Sequence, residues 1–329
     1  MPELPEIETI KLQLQKQLIG QTIISLEKLH PKSVQGNLKL IQNKKVVDVE
    51  RKGKMLILKL NNGLNIAVHF KMTGQLILQK SLPAQTGNIK NQISLPRRQA
   101  GKTQIKNQID KENNSDRIVG GPARNTLQRV AGGHPTQDWI GDLPSKHTRA
   151  IFHFASRDVM YFNDQRIFGW IKIFDDKQLQ GLTFLKNLGK EPWDITDEDF
   201  FNLISKKKKA IKLIIMDQEI LSGVGNIYAN DALWEAGIDP RKIGKMIRQE
   251  DGKKLRLGII KVLKEGIKYG GATAPDNKYI NLQGKGGKYQ EHFRVYEREG
   301  KKCLRNDGGI IKKIKLGGRG TYFCDVCQK

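Results

Sequence analysis

Cysteine is scarce in this chain: three among 329 residues, Cys303, Cys324 and Cys327, all near the C-terminal end. That excludes a disulfide framework spread over the fold and fits a local metal site or reduced thiols. Long apolar runs are missing as well. Nowhere do about eighteen apolar residues stand together, and no basic flank leads into an apolar stretch at the N-terminus. Neither a transmembrane helix nor a secretory leader is read, so the protein is expected to be soluble and intracellular. Acidic residues are short, with 34 Asp+Glu against 58 Lys+Arg, a net charge of +24. An imbalance of this size points to a polyanionic partner, because each phosphate neutralised by a protein cation releases counterions. What the chain does have is 38% hydrophobic residues, enough for real cores, and a length that allows two domains of roughly 150 residues each.

Ile7, Ile10, Leu14 and Leu18 recur at the spacing of one helix face, and Gly20 supplies a stop. Met55 to Leu60 and Leu64 to Phe70 are β-type runs joined by Asn61-Asn62-Gly63, a hairpin signal. From Gln75 to Lys146 the texture turns to Gln, Asn, Lys, Gly and Pro, and Ile89-Lys90-Asn91-Gln92-Ile93 returns as Ile105-Lys106-Asn107-Gln108-Ile109. Such a segment buries too little apolar surface to offset chain ordering, so 75–146 reads as a disordered insertion. It holds 11 basic and 5 acidic residues, which leaves +18 of the +24 on the remainder. Strand-type runs resume at 150–155, 159–162 and 170–174, and Leu188 to Trp193 looks like a linker. Helical patterns follow over 200–215, 227–236 and 253–269, then glycine pairs bracketing a loop, then short strands around the cysteines with the texture of a zinc ribbon.

The N-terminus carries the most informative chemistry. Pro2 is a small penultimate residue of the kind that permits removal of Met1, leaving a free secondary amine. With a pKa of about 8, an α-amino group is partly unprotonated near neutral pH and can attack a sugar aldehyde to form a Schiff base. Glu3 stands beside it and Glu6 one helical turn on, placed to shuttle protons. The residues alone leave a second reading open: Pro2 and Pro5 delimit a helix start, with Glu at its positive end.

Pro2-Glu3-Leu4-Pro5-Glu6-Ile7-Glu8 resembles the amino-terminal signature of the bacterial formamidopyrimidine-DNA glycosylases, bifunctional enzymes that remove 8-oxoguanine and ring-opened purines. The similarity recurs in order at Arg51-Lys52-Gly53-Lys54, His69-Phe70-Lys71-Met72-Thr73-Gly74, Asp164 to Gly169, Gly223-Val224-Gly225-Asn226-Ile227-Tyr228-Ala229 and the cysteine-bearing end. The related endonuclease VIII branch, specific for oxidised pyrimidines, typically has Gly where this chain has Leu4. The resemblance implies an α+β fold. A catalytic β-sandwich domain flanked by helices (2–187) would be followed by a linker (188–195), a helix–two-turn–helix domain (196–290) and a zinc-ribbon-like β-hairpin (291–329).

By the same resemblance Pro2 is the nucleophile, Glu3 the proton donor in base release and Glu6 a group positioning the sugar, with Lys54 and Arg319 gripping the lesion's phosphates. Extruding a base from a duplex leaves a gap that apolar wedges and a guanidinium can fill. Met72, Arg166 and Phe168 match the void-filling positions, although Ile167 stands where the family often has a second Arg. His147, Lys207, Lys212 and Asn226 match DNA-contacting positions, the glycines beside Asn226 letting backbone N–H groups approach a phosphate. The ribbon departs most. Cys324-Asp325-Val326-Cys327 is an intact pair, but Cys303 has Asn306 at its partner's spacing and Asp307 one residue later. The expected ligands of one zinc ion are therefore Cys303, Asp307, Cys324 and Cys327, with weaker affinity than four thiolates give. A monomer acting on damaged duplex DNA in base excision repair, in the cytoplasm at the nucleoid and away from membranes, completes the expectation. A glycosylase of oxidised pyrimidines and a catalytically silent DNA-binding homologue are the alternatives.

Overall fold

The computed structural model describes residues 2–81, 129–133 (backbone alone), 142–272 and 287–329. In chain order these form helix α1 (Leu4–Leu18) and strands β1 (Thr22–Lys28), β2 (Val34–Gln35), β3 (Lys44–Lys52), β4 (Met55–Leu60), β5 (Leu64–His69), β6 (Gly74–Gln79), β7 (Arg129–Gly133), β8 (Thr148–Phe154), β9 (Val159–Asp164) and β10 (Trp170–Asp175). Helices α2 (Asp176–Gly181), α3 (Thr183–Lys186), α4 (Asp197–Ser205), α5 (Ile211–Ile215), α6 (Asn226–Ala236) and α7 (Gln249–Lys268) follow, then a hairpin of β11 (Ile311–Leu316) and β12 (Arg319–Cys324).

Strands β1 to β10 make one ladder, in the order β2-β10-β5-β4-β3-β1-β8-β9-β6-β7. Its narrow seam is β1 with β3, which pair only through Thr22↔Lys45 and Ile23↔Lys44. The ladder doubles over there. Val49, Leu58 and Val68 from one half share a core with Leu26, Phe152 and Phe162 from the other. That is the β-sandwich the resemblance implies. Helix α1 lays Ile7, Ile10, Leu14 and Leu18 into the same core, each buried side chain contributing about 1.5–3 kcal/mol before ordering costs. Its first residue, Leu4, belongs instead to the second core, with Phe200, Ile204, Ile214, Tyr228, Leu255 and Ile259. One helix thus anchors in both halves of the molecule. Helix α7 packs tightly on α6: a Cβ at Gly266 would lie 2.5 Å from the Tyr228 ring. The C-terminal hairpin rests on α6 through Trp234, Val295 and Tyr322.

Two expectations are corrected. The segment 75–146 is not unstructured throughout, because Gln75 to Gln79 complete strand β6, paired with β9 on one side and with β7, Arg129–Gly133, on the other. Gln75, Leu76, Ile77 and Leu78 are buried, so the polar texture that marks the segment begins after them; residues 82–128 and 134–141 lie outside the described residues. Nor is 200–215 one helix. It breaks after α4 at the exposed lysines 206–209, where Ala210 bridges to Ile243 and Ile211 N–H bonds to Lys242 O (2.8 Å) before α5 begins. The glycine-bracketed loop falls on 273–286, outside the described residues. No helix among the described residues is long and apolar enough to cross a membrane.

Candidate active site and metal centre

The chain's first residues sit where the two cores meet. Leu4 N–H bonds to Gly223 O (3.0 Å), and Glu3, although it opens α1, directs its carboxylate across to α6, accepting from Ile227 N–H at 2.9 Å. A carboxylate at a helix's positive end is a favourable cap, here supplied from the other domain. Contact is close enough to explain the glycines of the turn: a Cβ at Gly225 would lie 2.2 Å from Glu3 Cδ, and one at Gly223 would lie 2.3 Å from Leu4 Cδ1. Those glycines, read as openings for a phosphate, are required first by the N-terminal segment. The other Glu3 oxygen, Oε2, is buried and has no hydrogen-bond partner among the described residues. Burial pushes this carboxyl above its usual range, Glu6 adding to the shift, while Lys54 and the Ile227 N–H oppose it. A carboxyl held towards its protonated form is suited to giving up a proton.

Glu6 is saturated by protein donors: Glu3 N–H (2.7 Å), the Tyr228 hydroxyl (2.7 Å) and Ala272 N–H (2.9 Å). Lys54 lies in the β3–β4 turn and, 5% exposed, extends Nζ to Val224 O at 2.8 Å. Burial draws its ammonium below the ordinary lysine range, with Glu3 and Glu6 pulling the other way. Glu3 and Lys54 therefore meet the turn leading into α6 and Glu6 meets the helix itself at Tyr228, with buried Pro2 next in the chain to Glu3; half-buried Asn226 stands at the same helix start, its buried Oδ1 without a hydrogen-bond partner among the described residues.

A second group lies across the sandwich edge. Met72 is half-buried, Arg166 and Phe168 are exposed, and the Arg166 guanidinium stacks 5.0 Å from the Phe168 ring centroid. Buried Asp164 organises all three, accepting from the Thr73 hydroxyl, Arg166 N–H (3.2 Å) and Gly169 N–H (2.7 Å). The same residue's own N–H binds His147 O at 2.9 Å, so the half-buried His147 joins this edge.

Lys207 is exposed on the bend after α4. Lys212 is not. Fully buried, it donates to Gly320 O (2.9 Å) and the Thr321 hydroxyl (2.7 Å) of the C-terminal hairpin, whereas the resemblance gives it as a DNA-contacting position. Burial brings its pKa down to about 7, with Glu3 resisting and Arg319 reinforcing the shift. Arg319 stays exposed beside the Gly317-Gly318 turn, near enough to Lys54 and Lys212 to lower both.

At the hairpin's base, Cys303, Asp307, Cys324 and Cys327 hold their donor atoms within 4.8 Å of one another. A tetrahedron of zinc–sulfur bonds of about 2.3 Å has sulfur–sulfur edges of about 3.8 Å, and the Cys303 and Cys327 sulfurs are 3.8 Å apart. Asp307 Oδ2 lies 3.6 Å from Cys324 Sγ. The extra residue is absorbed by Asn306, exposed and left-handed at φ 54°, so its amide turns outward while Asp307 completes the set. The donors fit zinc in number, type and spacing.

Four residues with structural roles were missed: Tyr228, Asp164, Glu191 and His69. All four stand inside motifs or the linker quoted from the sequence, but partners of the first three lie far along the chain. Glu191 accepts from both outer nitrogens of the buried Arg51, whose Nε bonds Glu8 at 2.7 Å. His69 Nδ1 accepts from Lys71 N–H (3.1 Å), and burial drives its pKa down to about 3, with Lys71 and Lys54 adding to the effect.

The description "Formamidopyrimidine-DNA glycosylase N-terminal domain" matches residues 1–118, the H2TH domain of that glycosylase matches 188–277, and "Zinc finger found in FPG and IleRS" matches 300–329. A formamidopyrimidine-DNA glycosylase of Pelotomaculum thermopropionicum is 32% identical over 336 residues, covering 100% of this chain and 99% of the relative. One from Rickettsia conorii is 32% identical over 338 residues, with the same coverage. The solved complex of the Lactococcus lactis enzyme with DNA containing an abasic site superposes with a TM-score of 0.74 at 28% identity, over 99% of each chain. Its complex with Fapy-dG DNA gives 0.73 at 27%, over 99% of this chain and 100% of that one. The zinc-finger match and the four-donor cluster together give one zinc site per chain.

Proposed function

This chain belongs to the formamidopyrimidine-DNA glycosylase family, and from that membership we propose that it excises oxidised purines, 8-oxoguanine and formamidopyrimidines, from duplex DNA and then cleaves the strand as an abasic-site lyase. The observation that carries the reading is the meeting of the N-terminal segment bearing Pro2, Glu3 and Glu6 with Lys54 at the Gly223–Asn226 turn and the start of α6, three separate stretches of chain.

The chemistry then follows in order. With Met1 removed, the Pro2 nitrogen attacks C1′ of the extruded nucleotide, and the glycosidic bond breaks as Glu3 supplies a proton. The C1′–O4′ bond then opens as O4′ takes up a proton, leaving a Schiff base that acidifies C2′; loss of the C2′ proton expels the 3′ phosphate, and loss of the C4′ proton in a second elimination expels the 5′ phosphate. Lys54 and Arg319 hold the lesion's phosphates, Arg319 assisting the second elimination. Met72 and Phe168 fill the gap in the stack while Arg166 bonds the orphaned base. His147, Lys207 and Asn226 take backbone phosphates. Cys303, Asp307, Cys324 and Cys327 hold the zinc, which supplies a fixed base for the hairpin bearing Arg319. A monomer working at the nucleoid in the cytoplasm accords with the net charge of +24.

Borohydride reduction on an 8-oxoguanine:cytosine duplex tests the reading. Wild type is expected to give a covalent adduct that Pro2→Gly lacks. DNA binding without an adduct would instead establish a silent DNA-binding homologue, and an adduct confined to thymine-glycol duplexes a pyrimidine-specific enzyme.

A further inference from the structure

The linker between the two halves is more than a tether. Gly189 N–H bonds to Gln218 O (2.8 Å) and Ser222 N–H to Lys190 O (3.0 Å), so 189–190 is laced to the strand of chain that runs directly into Gly223. Separation is minimal: a Cβ at Gly189 would lie 2.5 Å from the Ile220 carbonyl carbon. The next residue, Glu191, faces the other domain. Its carboxylate takes both outer nitrogens of Arg51, 2.5 and 2.8 Å away, and also Gly53 N–H at 3.2 Å. Arg51 closes the arrangement onto Gly53 O (2.9 Å) and onto Glu8 of α1 (2.7 Å). Arg51 and Glu191 side chains are only 7% and 13% exposed, a setting in which a forked, charge-assisted pair is strong and directional. Lys54 is the residue after Gly53, and its Nζ ends on Val224 O, two residues past Ser222. Glu191 therefore stands at the junction of the turn that presents Lys54 and the segment that presents its acceptor.

We propose that Glu191, through Arg51 and Gly53, is a positioning residue that sets Lys54 and the α1 start against the Gly223–Asn226 turn, and so aligns the two domains for catalysis. This deepens the glycosylase reading and rests on it. Glu191 touches no reacting atom; its contribution runs through Lys54.

Glu191→Gln tests it, because the amide keeps the side chain's shape and one acceptor for Gly53 N–H while removing the charge. In single-turnover cleavage of an 8-oxoguanine duplex at saturating enzyme, Glu191→Gln is expected to slow base release roughly tenfold to a hundredfold, with duplex affinity changed less than about threefold. In a Lys54→Ala background the same substitution is expected to cost less than about twofold. Full, multiplicative losses in both backgrounds would overturn the proposal, as would an unchanged rate in the single variant.

Amide exchange supplies a readout independent of activity. Glu191→Gln is expected to raise exchange at 53–55 and at 222–225 together, across the domain boundary; an increase confined to 51–53 would also overturn it. If wild type formed no borohydride adduct while Glu191→Gln still raised exchange at both places, the glycosylase reading would fail and the clamp would stand.

Discussion

Glu3 is buried, bonded through one oxygen to the start of α6, and its second oxygen has no hydrogen-bond partner among the described residues. A carboxyl whose pKa burial raises keeps its proton further towards neutrality, which is what a donor in base release requires. Glu3→Gln should therefore reduce 8-oxoguanine excision by about 10²–10⁴ while sparing cleavage of a duplex that already contains an abasic site, measured in parallel single-turnover assays. Wild-type excision should decline as pH rises through the Glu3 pKa, and equal loss on both substrates would remove Glu3 from the donor role. His69 titrates in the opposite sense of usefulness. Its folded pKa, about 3 against an ordinary 6.5, means that on acidification the unfolded chain takes up a proton that the folded chain refuses. Stability from this residue is intact above the ordinary value and falls between the two values as pH drops, by up to about 1.4 kcal/mol per pH unit. His69→Gln, which keeps an acceptor for Lys71 N–H, should flatten the acid limb of urea-unfolding free energy across that window; an unaltered slope would show the imidazole to be free to charge.

At the scale of elements, the helix–two-turn–helix is a receptor for the N-terminus before it is a phosphate site. Gly225→Ala would drive a methyl to within 2.2 Å of Glu3 Cδ, so Glu3 must leave the end of α6. Base release should fall by at least about tenfold, whereas the midpoint of thermal unfolding should move only as far as a loss of about 1–2 kcal/mol allows, the cost of one helix cap. The hairpin makes its own test. Asp307→Ala should weaken zinc binding in chelator competition, and cobalt bound to wild type should show three-thiolate charge-transfer intensity that Asp307→Cys raises. If Asp307→Ala held zinc as tightly as wild type, the carboxylate would not be a ligand. Much of this architecture was legible in the sequence because it is local: the spacing of Ile7, Ile10, Leu14 and Leu18, the Asn-Gly hairpin, and the cysteine pair with its offset aspartate. What escaped reading depends on distant partners. Asp164 gathers Thr73 from 91 residues away, and Glu191 meets Arg51 from 140. The lysine run at 206–209 looked continuous with a helix, since nothing in its own sequence reports that Ala210 bridges to Ile243.

For the whole molecule the question is which of its many cations meet DNA. A net charge of +24 cannot be read as that many phosphate contacts, because +6 lies in 75–146 and several lysines and arginines are spent internally. Arg51 is held by Glu8 and Glu191, and Arg294 by Glu235 and Glu265. Lys207 and Lys212 separate the two fates, being close in sequence yet opposite in setting: one exposed, the other buried against Gly320 and Thr321. Each phosphate contact contributes about 0.9 to the slope of log affinity against log salt. Lys207→Ala should therefore lower the magnitude of that slope by about 0.9 for damaged and undamaged duplexes alike. Lys212→Met fills the same space without an ammonium, so it should leave the slope unchanged. Its effect should fall on the hairpin that carries Arg319, lowering the ratio of doubly eliminated to singly eliminated product, since Lys212 bonds the residues directly after Arg319. A slope that drops equally in both variants would mean that Lys212 leaves the hairpin to meet a phosphate when DNA binds. The hairpin would then be repositioned by the duplex, and its placement in the free protein would not be the one that catalyses.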